Sequence, residues 1–215
     1  MKKKTYAVLG LGRYGTAVAK ELVKSGMEVI AVDKNEQIVQ DSSAYLPICK
    51  CADITDHEVI SELGISNADV VIVAMASSLE GSILAITLCK EAGVKTVIAK
   101  CANETHRKIL KRVGADTVVF PENESGTRLA KNLLTSGFTD VLTLSDDLSL
   151  VELATRDEWV GKSLKELNLR KKYTVNVVAF RKNGKITAPV NPEELLDKDT
   201  EIIAIVNTAK LSKLK

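Results

Sequence analysis

Tyr6-Ala-Val-Leu-Gly10-Leu-Gly12-Arg13-Tyr14-Gly15, followed by Met27-Glu-Val-Ile-Ala-Val-Asp33, decides the fold of this chain. An apolar run enters a glycine turn, an amphipathic stretch then reads as a helix, and a second apolar run ends on a carboxylate. Gly10 allows the tight turn, Gly12 lets the backbone approach a pyrophosphate, and Gly15 lets the helix pack close to the strand. The N–H groups at the helix start are placed to meet phosphate oxygens, helped by the helix dipole. Asp33, with Lys34 beside it, stands where a carboxylate accepts hydrogen bonds from ribose hydroxyls. The glycines alone are a weak signal. Set between two strands and a helix and closed by Asp33, they specify a nucleotide-binding α/β sheet.

Outward from this stretch, apolar runs keep alternating with amphipathic ones, the pattern of βαβ units. Strands are expected at 5–10, 27–33, 46–51, 69–75, 95–101 and 116–120, with helices at 14–25, 36–45, 56–63, 79–92 and 104–113. Thr55 and Asn103 suit helix N-caps, and Gly64, Gly93 and Gly114 suit helix ends. Residues 1–121 therefore form a Rossmann-like, doubly wound parallel sheet. Residues 122–138 hold a connecting helix with Leu129, Leu133 and Leu134 on one face, an apolar stripe expected to pack against something. Residues 139–215 have a different texture, with short strands at 141–144, 149–155, 173–181, 185–188 and 200–206 and short helices at 163–166 and 192–195. Asn183-Gly184 is a hairpin signal between two of these strands. This part is expected to be a small α+β domain.

The rim of the sheet follows from that topology, because ligands of such sheets lie beyond the carboxyl ends of the strands. Asp53, just past the third strand, is placed to accept from an adenine amino group, and Ala74, Met75 and Ala76 end the fourth strand beneath the adenosine. Lys100 ends the fifth strand and Glu122 follows the sixth; they either pair with each other or reach phosphates, directly or through a cation. Arg13 sits inside the glycine loop, where a guanidinium can take extra phosphate oxygens and favours the more highly charged ligand. ATP, ADP and NAD(H) all remain compatible with these residues.

Composition narrows the function. Thirty Lys and Arg against 28 Asp and Glu give a net charge of +2 without a long block of either sign, which argues against nucleic-acid binding. No apolar run approaches the roughly 18 residues that span a bilayer. Four cysteines without C-x-x-C spacing read as free thiols of a reducing cytoplasm. With only His57 and His106, both read as surface residues, and no catalytic triad, Walker A loop or metal cluster, a binding module is favoured over an enzyme. A small NAD(P)-dependent oxidoreductase is the alternative, and it would reveal itself by substrate-linked change in nicotinamide absorbance. A redox sensor controlling transcription would need a basic helix-turn-helix, and the sequence carries none.

The motifs together resemble a known family. Ala7-Val-Leu-Gly-Leu-Gly-Arg13-Tyr-Gly, Val29-Ile-Ala-Val-Asp33, Asp69-Val-Val-Ile-Val-Ala-Met75, Val97-Ile-Ala-Lys100, Val113-Gly-Ala-Asp116 and Phe120-Pro-Glu122 carry the likeness in the first half. Ser149-Leu-Val-Glu152 and Leu167-Asn-Leu-Arg170-Lys-Lys-Tyr173 carry it in the second. Over its whole length the chain is similar to regulator-of-potassium-conductance (RCK, or KTN) subunits of Ktr/Trk type, a TrkA-N domain followed by a TrkA-C domain. The resemblance implies a cytoplasmic gating subunit, a homo-oligomer whose dimers assemble into an octameric ring. That ring would be held at the inner face of the cell membrane by a separate potassium-transporter subunit. ATP, ADP or NAD(H) would bind the first domain and alter the ring. Arg13, with Tyr14 beside it, would contact distal phosphates, Asp33 the ribose and Asp53 the adenine. Lys100 would stay near the phosphates, and Glu122 would lie at a subunit boundary where some relatives hold a cation. The chain departs from closer relatives at Phe120, where a histidine commonly opens the Pro-Glu pair. The connecting helix would cross between partners. In some Gram-positive relatives the small domain binds cyclic di-AMP at its dimer interface; Leu167, Leu169, Arg170, Tyr173, Val175, Asn176, Val177 and Pro189 occupy the corresponding stretch.

Overall fold

The computed structural model describes residues 4–75, 78–134, 138–145 and 147–209. They fall into two units that divide between Glu122 and Asn123.

The first unit runs β1 (Thr5–Leu9), α1 (Arg13–Lys24), β2 (Glu28–Asp33), α2 (Glu36–Ser43), β3 (Ile48–Cys51), α3 (His57–Glu62), a 3-10 turn at Ile65–Asn67, β4 (Val70–Val73), α4 (Leu79–Glu91), β5 (Thr96–Lys100), α5 (Glu104–Val113) and β6 (Thr117–Val119). The strands are all parallel, in the order β3-β2-β1-β4-β5-β6. Helices cover both faces, so the strands are apolar on both sides rather than alternating with polar residues. In β2, Val29 and Ala31 face a cluster that includes Ala19 of α1 and Leu46. Val32 faces the opposite cluster, with Ala85, Ile86 and Cys89 of α4 and Leu110 of α5. Strand order reverses between β1 and β4, which opens a crevice above their carboxyl ends.

Helix starts follow local chemistry. Asn35, Asp56, Ser78 and Asn103 each accept a backbone N–H of their own helix. Thr55, the expected cap of α3, stands one residue early and bonds Asp53 instead.

In the second unit, α6 (Pro121–Leu134), which starts two residues before the division, leads to β7 (Phe138–Thr143), β8 (Leu148–Ala154), a 3-10 turn at Asp157–Trp159, α7 (Leu164–Leu167), α8 (Leu169–Tyr173), β9 (Asn176–Lys182), β10 (Lys185–Thr187) and β11 (Thr200–Asn207). The sheet is antiparallel, in the order β10-β9-β11-β8-β7, around a core of Trp159, Leu167, Leu169, Phe180, Ile202 and Val206. Asn183 and Gly184 both take positive φ, 50° and 74°, and close the β9–β10 hairpin. Two expectations fail here. The strand expected from 173 begins at Asn176, because α8 is bracketed by left-handed Asn168 and Thr174 (φ 50° and 60°). The helix expected at 192–195 is a turn region, held to Ser163 by a bridge from Leu195.

Candidate nucleotide-binding cleft

A cleft of about 480 Å³ opens at the carboxyl ends of β1, β2, β3 and β4, within the size range of small-molecule sites. Of the residues expected to bind a nucleotide, Gly10, Gly12, Asp33, Lys34, Asp53, Ala74 and Met75 line it. Ala76 lies outside the described residues. Sequence reasoning missed the apolar wall of Val32, Ile38, Ala52 and Ile54. It also missed Ser78, Glu80, Gly81 and Leu84 from the start of α4. The N-cap serine before α4 was the available signal for the second group.

The glycine loop leaves no room for a side chain at Gly10 or Gly15. Gly10 has φ +96° and donates to the Val32 carbonyl at 2.8 Å, so the turn leaves β1 while still tied to β2. A methyl on Gly15 would lie 1.9 Å from the Gly10 carbonyl oxygen, whereas one on Gly12 would meet nothing within 4 Å. Among the described residues, nothing in the protein itself requires Gly12 to lack a side chain. Asp33 straps the loop: one carboxylate oxygen accepts the Leu11 N–H at 2.7 Å, and the other accepts Asn35 N–H at 2.9 Å. Thr16 Oγ1 donates to the Leu11 carbonyl at 2.8 Å from inside the first turn of α1.

That first turn is electrostatically unlike its neighbours. α2, α3, α4 and α5 each begin with a side-chain cap and an acidic residue. α1 begins at Gly12 with neither, and the exposed Arg13 is its first residue. Its leading N–H groups and the positive end of its dipole are left for an anion.

Beside it, Lys100 and Glu122 pair at 2.5 Å, with the Lys100 ammonium 5.8 Å from the centre of the Tyr14 ring. The Lys100 hydrogen bond holds the Glu122 carboxyl below the usual carboxylate range. Arg13, Tyr14, Gly15, Lys100 and Glu122 do not line the cleft itself. Asp53 turns one carboxylate oxygen to the Thr55 hydroxyl and N–H, at 2.7 and 3.0 Å, and these bonds lower its pKa. His57 borders a separate depression between α3 and α4, and His106 sits in the first turn of α5. The four cysteines are unpaired, and burial pushes the Cys89 thiol up to about 12. Among the described residues no group of three or more His, Cys, Asp or Glu is arranged to hold a metal ion, so a cation at Glu122 would need ligands from elsewhere.

In the second unit, Leu167, Leu169 and Val175 are buried in the core, and Tyr173 and Val177 pack against it. Arg170, Asn176 and Pro189 are exposed. Leu129 and Leu133 of α6 are 60% and 77% exposed, while the Leu134 side chain lies outside the described residues. No helix among the described residues is long and apolar enough to cross a membrane.

Comparison with known proteins agrees with this architecture. Residues 6–121 match the TrkA-N domain and residues 148–215 the TrkA-C domain. The chain is 34% identical over 213 residues to Ktr system potassium uptake protein C of Bacillus subtilis, covering 99% of this chain and 96% of that protein. It is also 34% identical to Ktr system potassium uptake protein A of Vibrio alginolyticus, covering 99% and 97%. Among solved structures, the GsuK RCK domain superposes with a TM-score of 0.68 at 17% identity. That match takes in 99% of this chain and 47% of the longer one, which is evidence of shared fold alone.

Proposed function

The chain belongs to the family of Ktr/Trk potassium-uptake regulatory subunits and serves the regulation of potassium transport; from that premise we propose that it does so by binding an adenosine nucleotide in the cleft of its first unit. ATP and ADP are the favoured ligands, ahead of NAD(H). The carrying observation is the bare start of α1 next to an open Gly12, an anion-binding terminus with no occupant among the described residues. The adenosine lies over Met75 and Ala74 with its amino group toward Asp53, and the ribose meets Asp33. The phosphates cross Gly12 toward Arg13. Lys100, now held by Glu122, is drawn to a terminal phosphate, which frees the glutamate for a cation or a neighbouring subunit.

No bond is made or broken in this reading, and neither histidine lines the cleft to serve as a proton donor. Nucleotide exchange shifts a homo-oligomeric ring of eight subunits between shapes, and a separate potassium transporter at the cytoplasmic face of the membrane reads the shape. A ligand can do this only by binding the two shapes with different affinities. Cyclic di-AMP, recognised by Arg170, Asn176 and Pro189 across two second units, is a second input of the same kind.

Calorimetry on Arg13→Ala tests the assignment. The variant should lose more affinity for ATP than for ADP, by about tenfold if one charge-assisted contact is removed. Equal losses remove the terminal-phosphate role, and a wild-type assembly that binds neither nucleotide overturns the reading.

A further inference from the structure

Ser82 is buried at the end of the first turn of α4, 1% exposed, and belongs to no nucleotide motif. Its Oγ lies 2.9 Å from the Ser78 carbonyl, the ordinary partner of a helical serine four residues back. It also lies 2.7 Å from the carbonyl oxygen of Met75, beyond the helix and at the end of β4. A hydroxyl has one proton to give. The Ser78 carbonyl already accepts the Ser82 N–H at 3.0 Å, whereas among the described residues the other donor to Met75 is a distant Ser78 N–H at 3.4 Å. Met75 is therefore the carbonyl that needs the proton.

The Met75 side chain is confined as well. A methyl on Gly10 would come 2.7 Å from Met75 Cγ, and one on Gly81 would come 3.5 Å from Met75 Cε and 3.1 Å from Ser78 Oγ. Met75 thus lies in a slot between the phosphate loop and the first turn of α4, two side-chain-free positions forming its walls. Ser82 fixes its backbone from below.

We propose that Ser82 is a positioning residue for the adenosine moiety, setting through the Met75 carbonyl the height of the cleft floor. The inference rests on the nucleotide reading of the cleft and adds to it a division of labour. Arg13 and the start of α1 distinguish ligands by their phosphates; the Ser82–Met75–Gly81 set acts equally on every ligand that carries adenosine.

The test is calorimetry of AMP, ADP and ATP binding to the full-length assembly carrying Ser82→Ala, well below its unfolding temperature. Loss of the bond should weaken all three ligands by a similar factor, about five- to tenfold, leaving the ATP-to-ADP ratio as in the wild type. A merely structural serine would lower the unfolding temperature and leave these affinities in place. Gly81→Ala provides a variant that keeps α4 intact, since alanine favours helix over glycine. It presses on Ser78 and Met75 from the other side and should give the same even loss. Wild-type affinities in both variants, or a loss confined to ATP, would overturn the proposal. A wild-type assembly that binds none of the three would instead overturn the assignment of the cleft.

Discussion

Gly12 and Gly15 are three residues apart and look alike in the sequence, yet the protein uses them for opposite reasons. A methyl at position 15 would sit 1.9 Å from the Gly10 carbonyl and 3.1 Å from Ala74 Cβ, so loop and helix must separate to admit it. Gly15→Ala should cost about 1–3 kcal/mol, as overpacking does elsewhere, and lower the unfolding temperature by several degrees. Gly12 has an ordinary φ of −64° and an empty surround. Gly12→Ala should leave stability within about 0.5 kcal/mol of the wild type while weakening ATP tenfold or more, because its methyl occupies phosphate space. Thermal unfolding and calorimetry on the two variants separate these cases, and a Gly12→Ala protein that binds ATP normally would sink the phosphate placement. The spacing of the glycines was legible in the sequence because a helix entered from a strand allows few residue types at these points. The two bonds by which Asp33 straps Leu11 and Asn35 were not, nor was the reach of Ser82 to Met75. Such partners depend on where loops close in space, and no periodicity records that.

At the scale of elements, the parallel sheet was readable because β1, β2, β4 and β5 have apolar centres and the amphipathic stretches between them are helical, α2 to α5 each opening on a capping side chain. The second unit was harder. Its short strands alternate weakly, and two left-handed non-glycine residues, Asn168 and Thr174, insert a helix where β-branched and aromatic residues suggested strand. Its antiparallel sheet also carries a charge cluster that no linear pattern shows. Arg181 on β9 pairs with Glu152 on β8 and lies 3.8 Å from Glu201 on β11. Burial pushes the Glu152 carboxyl up; Arg181 draws it down, and Glu201 adds to the rise. A raised value means that the folded unit holds this proton more tightly than the unfolded chain does. The stabilisation is then complete below the ordinary glutamate value of about 4.3 and is lost as pH rises through the folded value. Glu166 and Asp197 shift downward and act in the opposite sense, so the comparison must be made against Glu152→Gln at each pH. Trp159, the single tryptophan of the chain, is 3% exposed in the core of this unit, and its fluorescence reports the unit's unfolding in urea. Relative to the glutamine variant, the wild-type midpoint should fall between pH 4 and pH 7. A difference that stays flat across that range would mean Glu152 keeps an ordinary affinity for its proton.

At the scale of the whole molecule, the proposed nucleotide signal would reach a transporter through contacts between subunits. Leu129 and Leu133, four residues apart and so on one face of α6, leave an apolar stripe in solvent. That stripe fits a helix covered by another subunit. Because both side chains are exposed within their own chain, Leu129→Glu with Leu133→Glu should cost the fold little, yet reduce the assembly to smaller species in light scattering or native mass spectrometry. The same variant tests the coupling. If ATP and ADP favour different ring shapes, linkage requires that ring assembly contribute to the affinity ratio of the two nucleotides. A swing of the ring from 1:99 to 99:1 would need a differential of about 10⁴ between its two shapes. Taking the ring apart removes that contribution, and the ratio measured in the dissociated variant should move toward the preference of a single cleft. If the stripe variant disassembles and the ATP-to-ADP ratio remains that of the intact protein, the nucleotide does not act through ring shape. Control of transport would then have to pass directly from the rim of the cleft to the membrane partner.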